Sequence, residues 1–453
     1  MDLTKDKISD LIRKIAIPSS IGTLFQTLYN IVDAKFAGLI DAGAITAIAK
    51  SFPIYFIIIG TTVGLSAGVT ALISNALGQK DESTASFLFS QSIIVSIIAA
   101  LIVTIIGIYG TEPILIFLKT QPEIINYAKD YMHVIFFGSI LFFLQLTINA
   151  SLVSRGDTKS LRNVHIFSFF LNIILNPIFI YGFYFIPAMG ISGIALATLC
   201  AQLIGLIYII YKVNKTDLKK YIYPECFYPK VSLLKDIVRQ ATPATGSMVF
   251  IGFGIFVLLY YVSLYGDYSA GGYGAAIRFE QLFLLPVLGL NASTLSLVGQ
   301  NFGASNFDRI RETYLKSILI GTIFMGICGI FIFFASNYIM IFFSNDPQII
   351  YYGSTYLKIA AFAGPCYPIF FISSALLQGL KKPMYQMIIN LMRMVILPIL
   401  ALTIAVVYLK VSFFTMFLVI LSINYLFATI VFLFSIYQIK LERKNYNPNL
   451  AAV

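Results

Sequence analysis

Charge is what this chain has least of. Of its 453 residues only 11% are Asp, Glu, Lys or Arg, against 58% hydrophobic, and the mean hydropathy is +0.87. A soluble chain of this length needs about a quarter of its residues charged to cover its surface, so most of this surface must meet lipid. Histidine and cysteine are also scarce, at two and four. Cys200, Cys226, Cys328 and Cys366 are scattered with no His at ligand spacing, so neither a metal site nor a disulfide framework can be read. His133 and His165 lie at segment edges and read as hydrogen-bonded interfacial residues. A Walker lysine motif, an HExxH and a nucleophile elbow are all missing, so neither an ATPase nor a hydrolase is supported, and no cofactor is expected. The charged start MDLTKDKISDLIRK lacks a short apolar region ending in small residues, so no cleavable signal peptide is expected.

What is present is a succession of continuous apolar runs rich in Ile, Leu and Phe. They do not alternate, which excludes an outer-membrane barrel and leaves a helical bundle. Twelve segments can be drawn, near 15–38, 52–77, 87–110, 131–153, 164–185, 190–211, 241–265, 274–300, 315–336, 355–378, 386–408 and 412–438. An even number puts both termini on one side. That side holds 23 of the 31 Lys and Arg, the other only Lys50, Lys119, Lys129 and Lys410. The positive-inside rule makes the termini cytoplasmic. The net charge of +11 is thus a topology signal, and no nucleic-acid partner is expected. Ile8, Leu11, Ile12 and Ile15 stand at helical spacing, so residues 1–14 are expected as an amphipathic segment on the cytoplasmic surface.

The longest hydrophilic stretch, 212–239, carries seven basic residues and two prolines and divides the chain into two sets of six segments. The expected organisation is an N-lobe over 15–211, a cytoplasmic linker over 212–239, a C-lobe over 240–438 and a tail over 439–453. A shift of 225 places Pro18 on Pro243, Gly64 on Gly289 and Gly78 on Gly303, among nine identities over 63 positions. Near Gly156 and Gly379 the offset is slightly smaller. Two parallel repeats related by an axis along the membrane normal follow, and two such lobes can alternate access to a cleft.

The segment 15–38 holds Pro18 near its start and Asp33 deep inside. An ionisable group in a span costs about 3 kcal/mol or more unless it meets a cavity or a partner, so Asp33 is a candidate exchange site for a cation. Pairing with Lys35 is the alternative, although residues two apart do not share a helix face. Asn172 and Asn176, four apart on one face, offer amide oxygens for Na⁺ or hydrogen bonds for a carboxyl, with interhelical amide pairing as the other reading. Thr198 in the sixth segment is a weaker candidate. In the second lobe Arg278, Glu280 and Arg393 form a candidate charge network, in which an ion pair of Glu280 with either Arg and a transport role both stand open. Tyr29, Tyr260 and Tyr261 are candidates to line an aromatic cleft for flat organic cations.

The runs PSSIGTLFQTLYNIVDAKFAG, GTTVGLSAGVTALISNALGQ, SRGDTK, NIILNPIFIYG and PVLGLNASTLSLVGQNFGA resemble the multidrug and toxic compound extrusion (MATE) transporters over essentially the whole chain. The resemblance implies twelve transmembrane helices in two pseudo-symmetric six-helix bundles and export of organic cations in exchange for Na⁺ or H⁺. Carried over by position, Asp33 is the first-helix acid of the N-lobe cation site, Asn172 and Asn176 its fifth-helix partners, Thr198 its sixth-helix hydroxyl, and Pro18 the proline implicated in bending. Arg278-x-Glu280 resembles the DinF-like branch; the tenth segment, KIAAFAGPCYPIFFISSALLQG, lacks the acid of the NorM-like branch. The expectation is a monomeric, multi-pass antiporter of the inner membrane for small organic cations, the alternative a lipid-linked oligosaccharide flippase of the same superfamily.

Overall fold

The computed structural model describes residues 1–117 and 120–446; Lys119 and the end of the expected tail, 447–453, lie outside the described residues. The architecture is all-α, and helices occupy all twelve apolar segments. They are α1 (Ile8–Ile40), α2 (Ala42–Gly78), α3 (Glu82–Phe117), α4 (Pro122–Phe137 with Ser139–Ser154), α5 (Lys159–Tyr181) and α6 (Ile191–Val213). The second half continues with α7 (Val231–Ser263), α8 (Asp267–Gly303), α9 (Phe307–Phe343), α10 (Pro347–Ala363 with Cys366–Gly379), α11 (Pro383–Tyr408) and α12 (Phe413–Asn445). Among the described residues nine helices are long and apolar enough to span a membrane, and the bent pairs α4 and α10 add two. The twelfth, α1, is more polar because Ser19, Ser20, Thr23, Gln26, Thr27, Asn30 and Asp33 interrupt it.

The bends have local causes. α4 turns by 44° at Gly138, where a Cβ would come within 2.1 Å of Leu199 on α6. α10 turns by 52° at Gly364 and Pro365, where the ring nitrogen cannot extend the helical ladder. In α11, π-helical turns at Met392–Ile396 and Thr403–Tyr408 flank Pro398.

The chain forms two compact units, one of Ile21–Thr245 and one of Met1–Ser20 with Gly246–Val453. Their borders fall inside α1 and α7, not in the hydrophilic stretch, and are 225 residues apart. Within Ile21–Thr245, the first turns of α7 lie on α2: a Cβ on Gly64 would be 2.4 Å from Thr245 Oγ1, and one on Gly68 2.9 Å from the Ala241 nitrogen. Within the other unit, a Cβ on Gly289 of α8 would be 2.2 Å from Ser20 Oγ of α1. Gly64 and Gly289 are repeat mates, and so are Thr245 and Ser20. Glycine is required at both because helix backbones meet there.

Two of the expected segments are fastened to the helices beside them. Residues 1–14 keep Lys5, Asp6, Lys7, Asp10, Arg13 and Lys14 exposed and turn their apolar face to the protein, with Ile8, Leu11 and Ile12 and the following Ile15 at most 2% exposed and packed with Leu297, Ile310 and Tyr314. The extended turn before them is tied down as well, since Asn301 Nδ2 donates to the Leu3 carbonyl at 3.1 Å and Arg309 Nη2 to the Asp6 carbonyl at 2.7 Å. The stretch after α6 folds into two short turns, Asp217–Tyr221 and Pro224–Phe227, held on α3. Gln91 Nε2 donates to the carbonyls of Cys226 (2.7 Å) and Tyr228 (2.9 Å) and its Oε1 accepts from Lys230 N (3.0 Å), while Leu218 is fully buried.

Candidate functional site

Three helices of the Ile21–Thr245 unit bring the expected residues together. Asp33 of α1 is 5% exposed, and Asn172 and Asn176 of α5 are fully buried against it. Asn172 Nδ2 donates to Asp33 Oδ1 at 2.9 Å and Asn176 Nδ2 to the same oxygen at 3.0 Å. Thr198 Oγ1 of α6 donates to Asp33 Oδ2 at 3.2 Å, and it also lies 3.1 Å from the Ile194 carbonyl. Spacing of four on α5 puts both amides on the face turned to α1 and lets Asn176 Nδ2 reach Asn172 Oδ1 as well, at 2.9 Å. Lys35 is exposed, so the alternative pairing with Asp33 does not form.

The partners of this carboxylate are therefore neutral donors. They support its charged form by hydrogen bonding but do not cancel the charge. One acceptor beside it is unused: Asn176 Oδ1 is buried with no hydrogen-bond partner. Two carboxylate oxygens and this amide oxygen suit a small hard monovalent cation or a proton. A divalent ion asks for more charge, and among the described residues no group of three or more His, Cys, Asp or Glu gathers anywhere. The buried Tyr29, together with Tyr55 of α2 and Tyr131 of α4, lies within range of the Asp33 charge. Tyr55 and Tyr131 went unnoticed because nothing in the sequence separates them from the other tyrosines among 28.

The second-lobe candidates part company. Glu280 is buried and accepts hydrogen bonds from Tyr356 and from Tyr367 (2.8 Å), not from an arginine. The ion pair left open for Glu280 thus does not form: Arg278 is exposed, and Arg393 instead donates through Nη1 to Asn424 Oδ1 at 3.1 Å and lies 3.8 Å over the Phe370 ring. Tyr261 is in the packed core, its hydroxyl 2.6 Å from Thr403 Oγ1 and 3.2 Å from the Ile399 carbonyl, which leaves it no face for a substrate. Its neighbour Tyr260 is exposed.

With this geometry in view, the MatE family model matches residues 18–178 and again 243–403. The chain belongs to the MATE family. Both ends of the second match lie 225 residues after those of the first, so the duplication in this MATE protein spans 161 residues in each half. Among relatives, the probable multidrug resistance protein NorM of Thermotoga maritima is 27% identical over 363 residues, covering 79% of this chain and 77% of that one. The multidrug export protein MepA of Staphylococcus haemolyticus is 28% identical over 350 residues, covering 76% and 75%. A solved outward-facing multidrug resistance MATE transporter of the MOP superfamily superposes with a TM-score of 0.89 at 25% identity, over 98% of both chains. The MATE family consists of transporters, and this member is a multi-pass membrane protein.

Proposed function

We propose that this MATE protein is a secondary antiporter that exports small organic cations in exchange for Na⁺ or H⁺. The observation that carries the reading is Asp33: a buried carboxylate in a membrane helix, held by three neutral donors, with a free amide oxygen beside it. Such a group costs free energy to keep charged and apolar surroundings hold it only if it does work. A driving cation neutralises it; Asn172, Asn176 and Thr198 orient its oxygens and hold them when the cation leaves. Binding of the cation and of the substrate need only favour different conformations for the two fluxes to be coupled.

Pro18 supplies the give in α1. It has no N–H for the Lys14 carbonyl, so the helix is weakest there, two residues before the unit border at Ser20 and Ile21. We place the protein in the cytoplasmic membrane with both termini cytoplasmic, on the basic residues crowded at that side, and expect a monomer, because a two-lobed transporter can work as one. The named multidrug relatives support drugs or toxic metabolites as substrates.

The test is uptake of ethidium into proteoliposomes under an imposed Na⁺ gradient and, separately, a pH gradient. Accumulation driven by one gradient is expected. No accumulation under either, with turnover of lipid-linked oligosaccharide in its place, would give the flippase reading precedence.

A further inference from the structure

The unit containing Gly246–Val453 holds a cavity of about 190 Å³ among α7, α8, α10, α11 and α12, lined mainly by apolar side chains. Its position is that of the Asp33 site in the other repeat. The residues 225 places on from Asp33, Tyr55, Tyr131 and Thr198 are Leu258, Glu280, Tyr356 and Ile423, and all four line it. The buried acid has become leucine and the threonine isoleucine, so the duplicate has lost that set of oxygens. In exchange it has gained a buried arginine. Arg393 is 8% exposed, sits on the π-helical turn Met392–Ile396, and lines the cavity.

A guanidinium has five N–H donors. The only hydrogen bond Arg393 makes among the described residues uses Nη1, to a neutral amide; Nε is buried with no partner. Its remaining support is the face of Phe370. Glu280 lines the same cavity but does not pair with it, being occupied by Tyr356 and Tyr367. A buried cation with unused donors and no directly paired carboxylate is costly unless a ligand provides one. The planar fork of arginine fits a carboxylate on two parallel hydrogen bonds. A π-helical turn inside an α-helix is the kind of irregularity found at functional sites, and here it is what carries the arginine.

We propose that this cavity binds flat aromatic molecules bearing a carboxylate, with the carboxylate on Arg393 and an N–H at the opposite end donated to the lone pairs Glu280 has left. The cavity thus offers a cationic end at Arg393 and an anionic end at Glu280, whereas the site at Asp33 offers a carboxylate with neutral partners. It goes beyond the cation-antiport reading and does not rest on it, because binding to the purified protein needs neither Asp33 nor transport.

The probe is 7-amino-4-methylcoumarin-3-acetic acid, a fluorescent two-ring carboxylate with an aryl amine, and its methyl ester, titrated into the detergent-solubilised full chain and read by anisotropy. A hydrogen-bonded charge pair sheltered from water is worth about tenfold or more in affinity. The acid is expected to bind at least about tenfold tighter than the ester. Arg393→Gln should erase that preference and leave ester binding within about twofold, whereas Arg393→Lys keeps part of it. Equal binding of acid and ester by the unmutated protein, binding of neither, or an undiminished preference in Arg393→Gln would each overturn the proposal. The acid-against-ester comparison on the unmutated chain decides even if a variant fails to fold.

Discussion

Asp33 and Glu280 are both buried carboxylates in membrane helices, and the side chains around them differ. Asp33 is met by two amides and a hydroxyl that can turn oxygen or hydrogen toward it. Glu280 is clamped by two phenols, which can only donate to a carboxylate in that geometry. Replacing Asn172 by Leu removes a donor from a charged acceptor, a loss of about 1.5–3 kcal/mol. Ion-driven efflux should fall about tenfold or more, while the thermal midpoint, measured alongside, changes little by comparison. The double variant Tyr356→Phe with Tyr367→Phe should behave the other way. It strands the Glu280 charge and lowers the thermal midpoint, and adding Glu280→Gln should recover most of that drop because the neutral amide costs less to bury. Asp33, Asn172, Asn176 and Thr198 could be read from the sequence since intramembrane polar groups are rare enough to stand out. Tyr356 and Tyr367 could not, because tyrosine is common here and only packing selects the two that donate to a buried carboxylate.

At the scale of elements, the close approaches at Gly64 and Gly289 leave no room for a side chain. Gly64→Val and Gly289→Val should each destabilise the detergent-solubilised protein by about 1–3 kcal/mol, seen as a lower thermal midpoint, since the backbone opposite cannot yield. Asp41 caps α2, its Oδ1 accepting from Ala44 N at 2.7 Å, and the Tyr127 hydroxyl and that N–H hold its carboxyl below the usual carboxylate range. A carboxyl so depressed stabilises above its unfolded pKa and loses that contribution as pH falls through the folded one. The thermal-midpoint difference between the unmutated protein and Asp41→Ala should thus be present at neutral pH and vanish in acid. Helix positions followed from apolar runs about 20 residues long. The bend at Gly138 did not, because a glycine kink depends on Leu199 arriving from another helix, and neither did the π-helical turns of α11, which no residue pattern announces.

For the whole molecule, the offset of 225 read from a few identities recurs in the ends of the two family matches and in the unit borders. What the offset could not convey is that α1 and α7 each start in one unit and finish in the other. That follows from contacts such as Gly64 with Thr245, in which no residue type betrays its partner. The basic stretch 212–239 read as a linker on charge and proline content, yet Gln91 and the buried Leu218 fasten its turns to α3. Gln91→Ala should free the stretch, and limited trypsin digestion at Lys219 and Lys220 should then run several-fold faster than in the unmutated protein. An unchanged rate would mean that Leu218 alone holds it.

In the proposed antiport the carboxylate of Asp33 couples ion and substrate. The most direct test of this coupling is ethidium transport by Asp33→Asn beside the unmutated protein in proteoliposomes under whichever gradient drives the latter, with ethidium binding in detergent measured on the same preparations. The account predicts that the variant, folded and still able to bind ethidium, accumulates none against its gradient. Uphill transport by Asp33→Asn at the unmutated rate would contradict it.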